Sequence, residues 1–329
     1  MAPIRVGLVG LSASAKTAWA SKAHLPYLLS ERGRARYEIV ALLNSSEAGA
    51  RWAWHVHSKT TYTHDAAAAA GGRTMVGVQG RVSPPVLKVQ ELLWQGRIGK
   101  VLSSEVLASG GLNSRDSVPA GLSYFTDRAV GGNIYTIGFG HLYDQINHVL
   151  GHIQNPHAQL QIQRPQVKII NPADQTSSSA TTNVPDLIIV TGRVPGPSDI
   201  IGDGGATVLH RFRLGTPFPG EVPLRWTING EKGEVRLTAR AGATLHASAY
   251  DLADQQDNGV TIEVHNFATD SLEKVEWSWG DWKDGLPLLA RSVAELYERF
   301  ADGREVPTFA DALRSQEQLE EMLASGGLQ

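Results

Sequence analysis

The chain has 329 residues, no cysteine and a formal net charge of −3. Without cysteine there are no disulfides, thiolate metal ligands or thiol nucleophiles, and the slightly acidic balance speaks against a nucleic-acid surface, which needs a basic excess. The 42% hydrophobic and 19% charged residues suit a globular protein large enough for two domains, while the lack of a membrane-length apolar run or a basic-then-apolar leader predicts a cytoplasmic protein with no membrane partner.

Residues 3–44 read as strand, turn, helix and strand. PIRVGLVG has the β-branched bias of a buried strand. It breaks at Gly10 into a helical pattern running through Trp19 to Leu29, and a second apolar run covers Tyr37 to Leu43. Helices are expected over Ser46 to His57 and in the alanine-rich piece within Ser58–Gly72. Arg73 to Gly80 reads as a further strand. Pro84-Pro85 opens a helix over Val86 to Gln95, stopped by Gly96-Arg97-Ile98-Gly99. Lys100 to Ala108 is a strand, and the expected domain boundary lies near Gly99, giving domains 1–99 and 100–329.

Beyond that boundary the pattern changes. Gly110 to Asp127 is loop-like, and Gly131-Gly132 leads into a helical stretch, Ile134 to Leu150. From Gln159 to Thr269 period-two runs such as DLIIVTGRV, ATVLHRFRL and GEVRLTA predict a mostly antiparallel sheet with one buried face. Ser- and Thr-rich Asn171 to Asn183 reads as a mobile surface loop. Leu286 to Ala301 and Ala310 to Leu323 are closing amphipathic helices. The expected architecture is a truncated Rossmann-type parallel sheet followed by an open, mostly antiparallel sheet domain with covering helices.

The first turn is a candidate phosphate cradle, because a strand–turn–helix presents helix N–H groups to an anion. Gly10, Ser12 and Ala13 line it, although Ser12 and Ala13 stand where further glycines of the GxGxxG pattern belong, so a purely structural βαβ reading stays open. Asn44 and Ser45, after the second strand, lack the acid that holds a ribose 2′-hydroxyl, which admits NADP and favours it over NAD. Gln79 and Arg81 end a strand at the carboxyl edge of the parallel sheet, where such folds bind ligands; an interdomain ion pair is the plainer use of Arg81. His24 suits an orienting bond to backbone. His141 and Asp144, three apart, share a helix face, and Tyr124 ahead of the glycine pair is a third candidate. No further ligands stand at metal-site spacing, so no metal is expected. His148, His152 and the clustered tryptophans read as packing or interface residues.

Four segments stand together in a recognisable order: Val6-Gly7-Leu8-Val9-Gly10, Ala23-His24-Leu25-Pro26, Gly96-Arg97-Ile98-Gly99-Lys100-Val101 and Gly230-Glu231-Lys232-Gly233-Glu234. They resemble the glucose–fructose oxidoreductase / inositol dehydrogenase (Gfo/Idh/MocA) family. Val9-Gly10-Leu11-Ser12, Ile39 to Leu42 with Asn44, Gln79-Gly80-Arg81 with Ser83-Pro84, and Phe139-Gly140-His141 with Asp144 are most similar to its branch of the yeast galactose-pathway repressor and fungal oxidoreductase-like relatives. The resemblance implies an NAD- or NADP-linked oxidoreductase acting on a polar hydroxyl or carbonyl metabolite, with His141 exchanging the substrate proton. It leaves as an alternative a dinucleotide-sensing regulator without turnover, binding a partner protein, and as a second a non-redox lyase, isomerase or cyclase in the same cleft. It also implies a homodimer or larger homo-oligomer through the C-terminal sheet. Two departures stand out. The family's Glu-Lys-Pro motif, whose lysine contacts substrate and cofactor, occurs nowhere here, and the family's aspartate four residues before the histidine is Ile137.

Overall fold

A computed structural model describes residues 2–9, 18–43, 74–111, 114–246 and 259–328. The helices expected within 46–72, and the candidate residues Gly10, Ser12, Ala13, Asn44 and Ser45, lie outside them. The chain divides into two compact units, Met1–Gln79 with Trp279–Ala312, and Gly80–Ser278 with Leu313–Gln329.

In the first unit β1 (Ile4–Val9) and β2 (Tyr37–Leu43) pair in parallel, from Ile4 against Tyr37 to Val9 against Leu43. Between them the chain makes a π turn over Ala20–His24, then α1 (Leu25–Leu29) and α2 (Glu31–Arg36). Ser30 separates the two helices, its hydroxyl accepting the Gly33 N–H at 3.0 Å and so satisfying a donor that α2 cannot pair internally. Helix α5 (Leu288–Ala301) supplies the other wall of this core, Val293, Ala294 and Tyr297 meeting Leu8, Ala23, Tyr27, Leu28 and Tyr37. Tyr27 and Tyr297 stack with centroids 5.4 Å apart, and Tyr37 meets Tyr297 edge-on. Buried phenols need acceptors: Tyr27 donates to Glu298 Oε1 and Tyr37 to the Tyr297 carbonyl. Glu298 also takes both donors of Arg32, at 2.7 and 2.9 Å.

Two expectations fail here. Among the described residues Thr74–Val78 joins no strand: Val76 N–H donates to Pro307 O at 2.8 Å and Val78 N–H turns back onto Val76 O. His24 bonds a side chain rather than backbone, its Nδ1 lying 3.0 Å from the Tyr297 hydroxyl.

The second unit is built on an eight-stranded sheet. Its strands are β3 (Val101–Ser109), β5 (Gln154–Gln161), β8 (Leu187–Val194), β9 (Ala206–Arg213), β10 (Leu224–Gly230), β11 (Gly233–Ala239), β12 (Val260–Asn266) and β13 (Ser271–Val275). The order is β13-β12-β11-β10-β3-β9-β8-β5, antiparallel throughout except for the parallel neighbours β3 and β9. Period-two alternation puts Leu224, Trp226 and Ile228 inside and Arg225 outside. Helices α3 (Pro84–Trp94) and α4 (Gly140–Leu150) belong to this unit, and α4 covers the inner face, Phe139 just before it meeting Phe212 and Tyr143 meeting His210. The latter part of α6 (Phe309–Ser325) packs beside it, Leu319 O accepting the Tyr135 hydroxyl at 2.7 Å.

A smaller sheet joins β4 (Ser117–Pro119), β6 (Gln166–Ile170) and β7 (Ser177–Thr181). Part of the expected loop Asn171–Asn183 is therefore a strand. Its register sets Ala180 against Val167, and that small apolar contact anchors an otherwise exposed Ser/Thr run.

Candidate functional site

The approach to α4 fixes the candidate residues. Asn133 Oδ1 accepts the N–H groups of Tyr135 and Thr136 at 2.9 and 3.1 Å, and Thr136 Oγ1 returns to Asn133 N–H at 3.2 Å, a reciprocal cap. One π turn over Ile134–Phe139 follows, then α4 proper. Such turns insert a residue and re-aim the next helical face. That face carries His141, Asp144, Gln145 and His148.

Asp144 is a buried anchor. Its carboxylate accepts Nε and Nη2 of Arg81 at 2.9 and 2.7 Å, and the Ser315 hydroxyl at 3.1 Å. The Arg81 and Asp144 side chains are only 9% and 3% exposed, so the fork–fork pair is largely removed from water. Arg81 thus forms an ion pair, as expected, and both partners belong to the second compact unit.

His141 is half-buried. No hydrogen bond joins it to Asp144 among the described residues, and its buried Nδ1 meets no partner there. Its ring instead stacks on His246, centroids 4.1 Å apart at 27°. Burial pushes the His141 pKa down despite the opposing charge of Asp144. Burial, and then the neighbouring His141, holds His246 well below the ordinary value. Both imidazoles are therefore neutral at neutral pH. Ile137 packs against the apolar group of Val118, Leu122, Phe125 and Val167, so an apolar side chain fills the place of an acid.

The remaining candidates are dispersed. Tyr124 is 37% exposed, edge-on to Phe125 and against Gly132, with no hydrogen bond or ring contact to His141 among the described residues. Gln79 is buried, and its Oε1 meets no partner among those residues. Two residues escaped the sequence reading. Gln145 is 1% exposed, both polar atoms of its amide meet no partner among the described residues, and it lies so close to Gly80 that a Cβ there would fall 1.8 Å from its Nε2. The signal for it was a polar residue on a buried helical stripe. His246 had no signal, being 105 residues from the ring it stacks on. No group of three or more metal-ligating side chains occurs among the described residues, and none of their helices is long and apolar enough to cross a membrane.

Residues 84–239 match the family described as Gal80p, C-terminal domain. The chain is 27% identical over 165 residues to dehydrogenase aclE of Aspergillus oryzae, covering 50% of this chain and 42% of that protein. It is 26% identical over 244 residues to the galactose/lactose metabolism regulatory protein GAL80 of Saccharomyces cerevisiae, covering 74% of this chain and 49% of that one. The matched stretches thus span less than half the length of these curated relatives. Among solved structures, the E351K super-repressor mutant of Gal80p from Saccharomyces cerevisiae superposes with TM-score 0.80 at 19% identity, over 99% of this chain and 96% of that one. Levoglucosan dehydrogenase in complex with NADH and L-sorbose gives TM-score 0.70 at 15% identity, over 99% and 97%. These structural likenesses establish the fold.

Proposed function

From the premise that the chain is homologous to the Gfo/Idh/MocA oxidoreductases and to their Gal80 branch, we propose that it is a dinucleotide-sensing regulator that does not turn its dinucleotide over. One observation carries this reading: the acid–base partners of His141 are committed elsewhere or missing. Asp144 is engaged by Arg81 and Ser315, Ile137 is apolar, and no Glu-Lys-Pro lysine exists in the sequence. An imidazole whose Nδ1 meets no partner among the described residues and whose pKa is pushed down is a poor proton shuttle, because efficient transfer wants a group titrating near the working pH.

The parallel strand pair supports the binding of a nicotinamide dinucleotide. β1 and β2 are parallel, so their carboxyl ends lie at the same edge, the place where such sheets bind nucleotides. Gly10, Ser12 and Ala13 would hold the phosphates, Asn44 and Ser45 the ribose, and Gln79, whose Oε1 meets no partner among the described residues, would accept from a ligand donor. Bound, the group supplies hydride chemistry; in this reading its occupancy is the signal. The protein acts in the cytoplasm, as a dimer through the outer face of the eight-stranded sheet, where Leu107, Ile189 and Leu209 are half-buried between charged neighbours. A partner protein is the recipient of the signal.

The 27% identity to a dehydrogenase favours a second reading, an oxidoreductase in which neutral His141 accepts the proton of a polar small-molecule substrate. Fluorescence titration with NADPH and NADH tests the binding claim. Saturation by NADPH, with Asn44→Asp shifting preference toward NADH, supports it. Absence of saturation with either dinucleotide rejects both readings.

A further inference from the structure

One end of the eight-stranded sheet encloses a cavity of about 380 Å³. β3 and β9 are parallel, β10 runs against β3 and β11 against β10, so the chain leaves β3, β9 and β11 and enters β10 at the same end. Those four connections supply the walls, with Ser109, Ser114, Arg115, Asp116, Gly215 and Thr216 among them. All belong to the second unit. The volume is that of a small-molecule site.

The walls carry one full charge of each sign, Arg115 and Asp116. Arg115 is positioned but not neutralised. Its Nη2 donates to Thr216 O at 2.9 Å and to Thr216 Oγ1 at 3.3 Å. Its stem lies on Gly215, where an added Cβ would fall 2.1 Å from Arg115 Cγ, and φ at +89° also makes glycine the natural residue there. Among the described residues no carboxylate pairs with Arg115, and its Nε and Nη1 meet no acceptor. Asp116 Oδ2 lies 3.8 Å from Lys168 Nζ with both side chains more than half exposed, a solvated contact. The Asp116 carboxylate accepts no hydrogen bond among the described residues. Ser109 is 4% exposed, and its hydroxyl makes no hydrogen bond there either, so a partner for it has to come from within the cavity. Among the described residues no wall is aromatic, and the cavity offers no ring to stack on a sugar or a base.

We propose that this cavity binds a small α-amino acid as its zwitterion, Arg115 taking the carboxylate and Asp116 the ammonium. A zwitterion answers both wall charges at once. A lone anion meets Arg115 but faces Asp116, and a lone cation meets the reverse, so each is discriminated against by a like charge. The forked guanidinium suits a carboxylate, and the compact ammonium suits an acceptor-only carboxylate. The hydroxyls of Ser109 and Ser114 supply further donors and acceptors, and the glycines of the wall bring backbone within reach of so small a ligand. The site lies in the second unit alone and stands apart from dinucleotide binding.

Calorimetric titration of the full chain with L-alanine tests it, beside two analogues that keep one charge each: L-alaninamide, with the ammonium only, and L-lactate, with the carboxylate only. L-Alanine is expected to bind saturably and each analogue roughly tenfold or more weakly than it. Arg115→Gln should weaken L-alanine by a similar factor while leaving L-alaninamide unchanged. Asp116→Asn should weaken L-alanine while leaving L-lactate no weaker. Both positions are exposed, so both variants are expected to melt as the parent does. Lys88→Gln on α3 should leave all three titrations unchanged. No saturable binding of L-alanine overturns the proposal, as does L-lactate or L-alaninamide binding as tightly as L-alanine, or Arg115→Gln binding L-alanine as well as the parent.

Discussion

Replacing Asp144 by Asn separates an anchoring role from a chemical one. The amide keeps the size and one acceptor oxygen of the carboxylate but removes the negative charge that sits 2.7 and 2.9 Å from Arg81. Both side chains are more than nine-tenths buried, so the Arg81 charge keeps its desolvation cost while losing its counter-charge. Breaking a buried pair from one side costs about 3 to 5 kcal/mol. At roughly 2 to 4 °C per kcal/mol for a unit of this size, the melting temperature should fall by about 6 to 20 °C. Differential scanning calorimetry reads this directly. The double variant Arg81→Met with Asp144→Leu should recover most of the loss, because neither partner then leaves a charge in the interior. Asp144→Asn melting within about 2 °C of the parent would refute the anchoring argument.

Other expectations follow from the same geometry. His210 is buried, neither ring nitrogen meets a partner among the described residues, and burial pushes its pKa down to about 4 from 6.5. The unfolded chain therefore binds the extra proton first, so stability is full above pH 6.5 and drains away as pH falls toward about 4, by about 3 kcal/mol. His210→Leu should flatten that slope in urea titrations at stepped pH; an unchanged slope would count against it. Glu298→Gln removes the charge that Arg32 grips with two donors and should cost about 1.5 to 3 kcal/mol in the same denaturation, whereas a loss under about 0.5 kcal/mol would mean the contact is solvated away.

Elements whose signal is local were legible. The β-branched run of β1, the apolar spacing of α5 and the alternation along β9 and β11 each record which face is buried, and the sheet formed as those patterns required. Arg73–Gly80 misled because an apolar run states that a segment is shielded, not which backbone will bond it; here Pro307, far along the chain, accepts the Val76 N–H. β7 hid for the opposite reason, since its ladder is held by register against β6 while nearly all its side chains face water. The candidate site was half legible. Helical spacing put His141 and Asp144 on one face, but spacing cannot say that Arg81, 63 residues earlier, arrives to occupy the carboxylate. Nor can it foresee His246 lying across the ring of His141.

Nicotinamide absorbance, followed under saturating NADPH with a panel of polar carbonyl compounds, tests the central claim most directly. The account predicts that the dinucleotide binds and its absorbance holds constant throughout. Steady oxidation of the reduced nicotinamide, abolished in a His141→Ala variant that melts as the parent does, would contradict it and make the protein a working oxidoreductase.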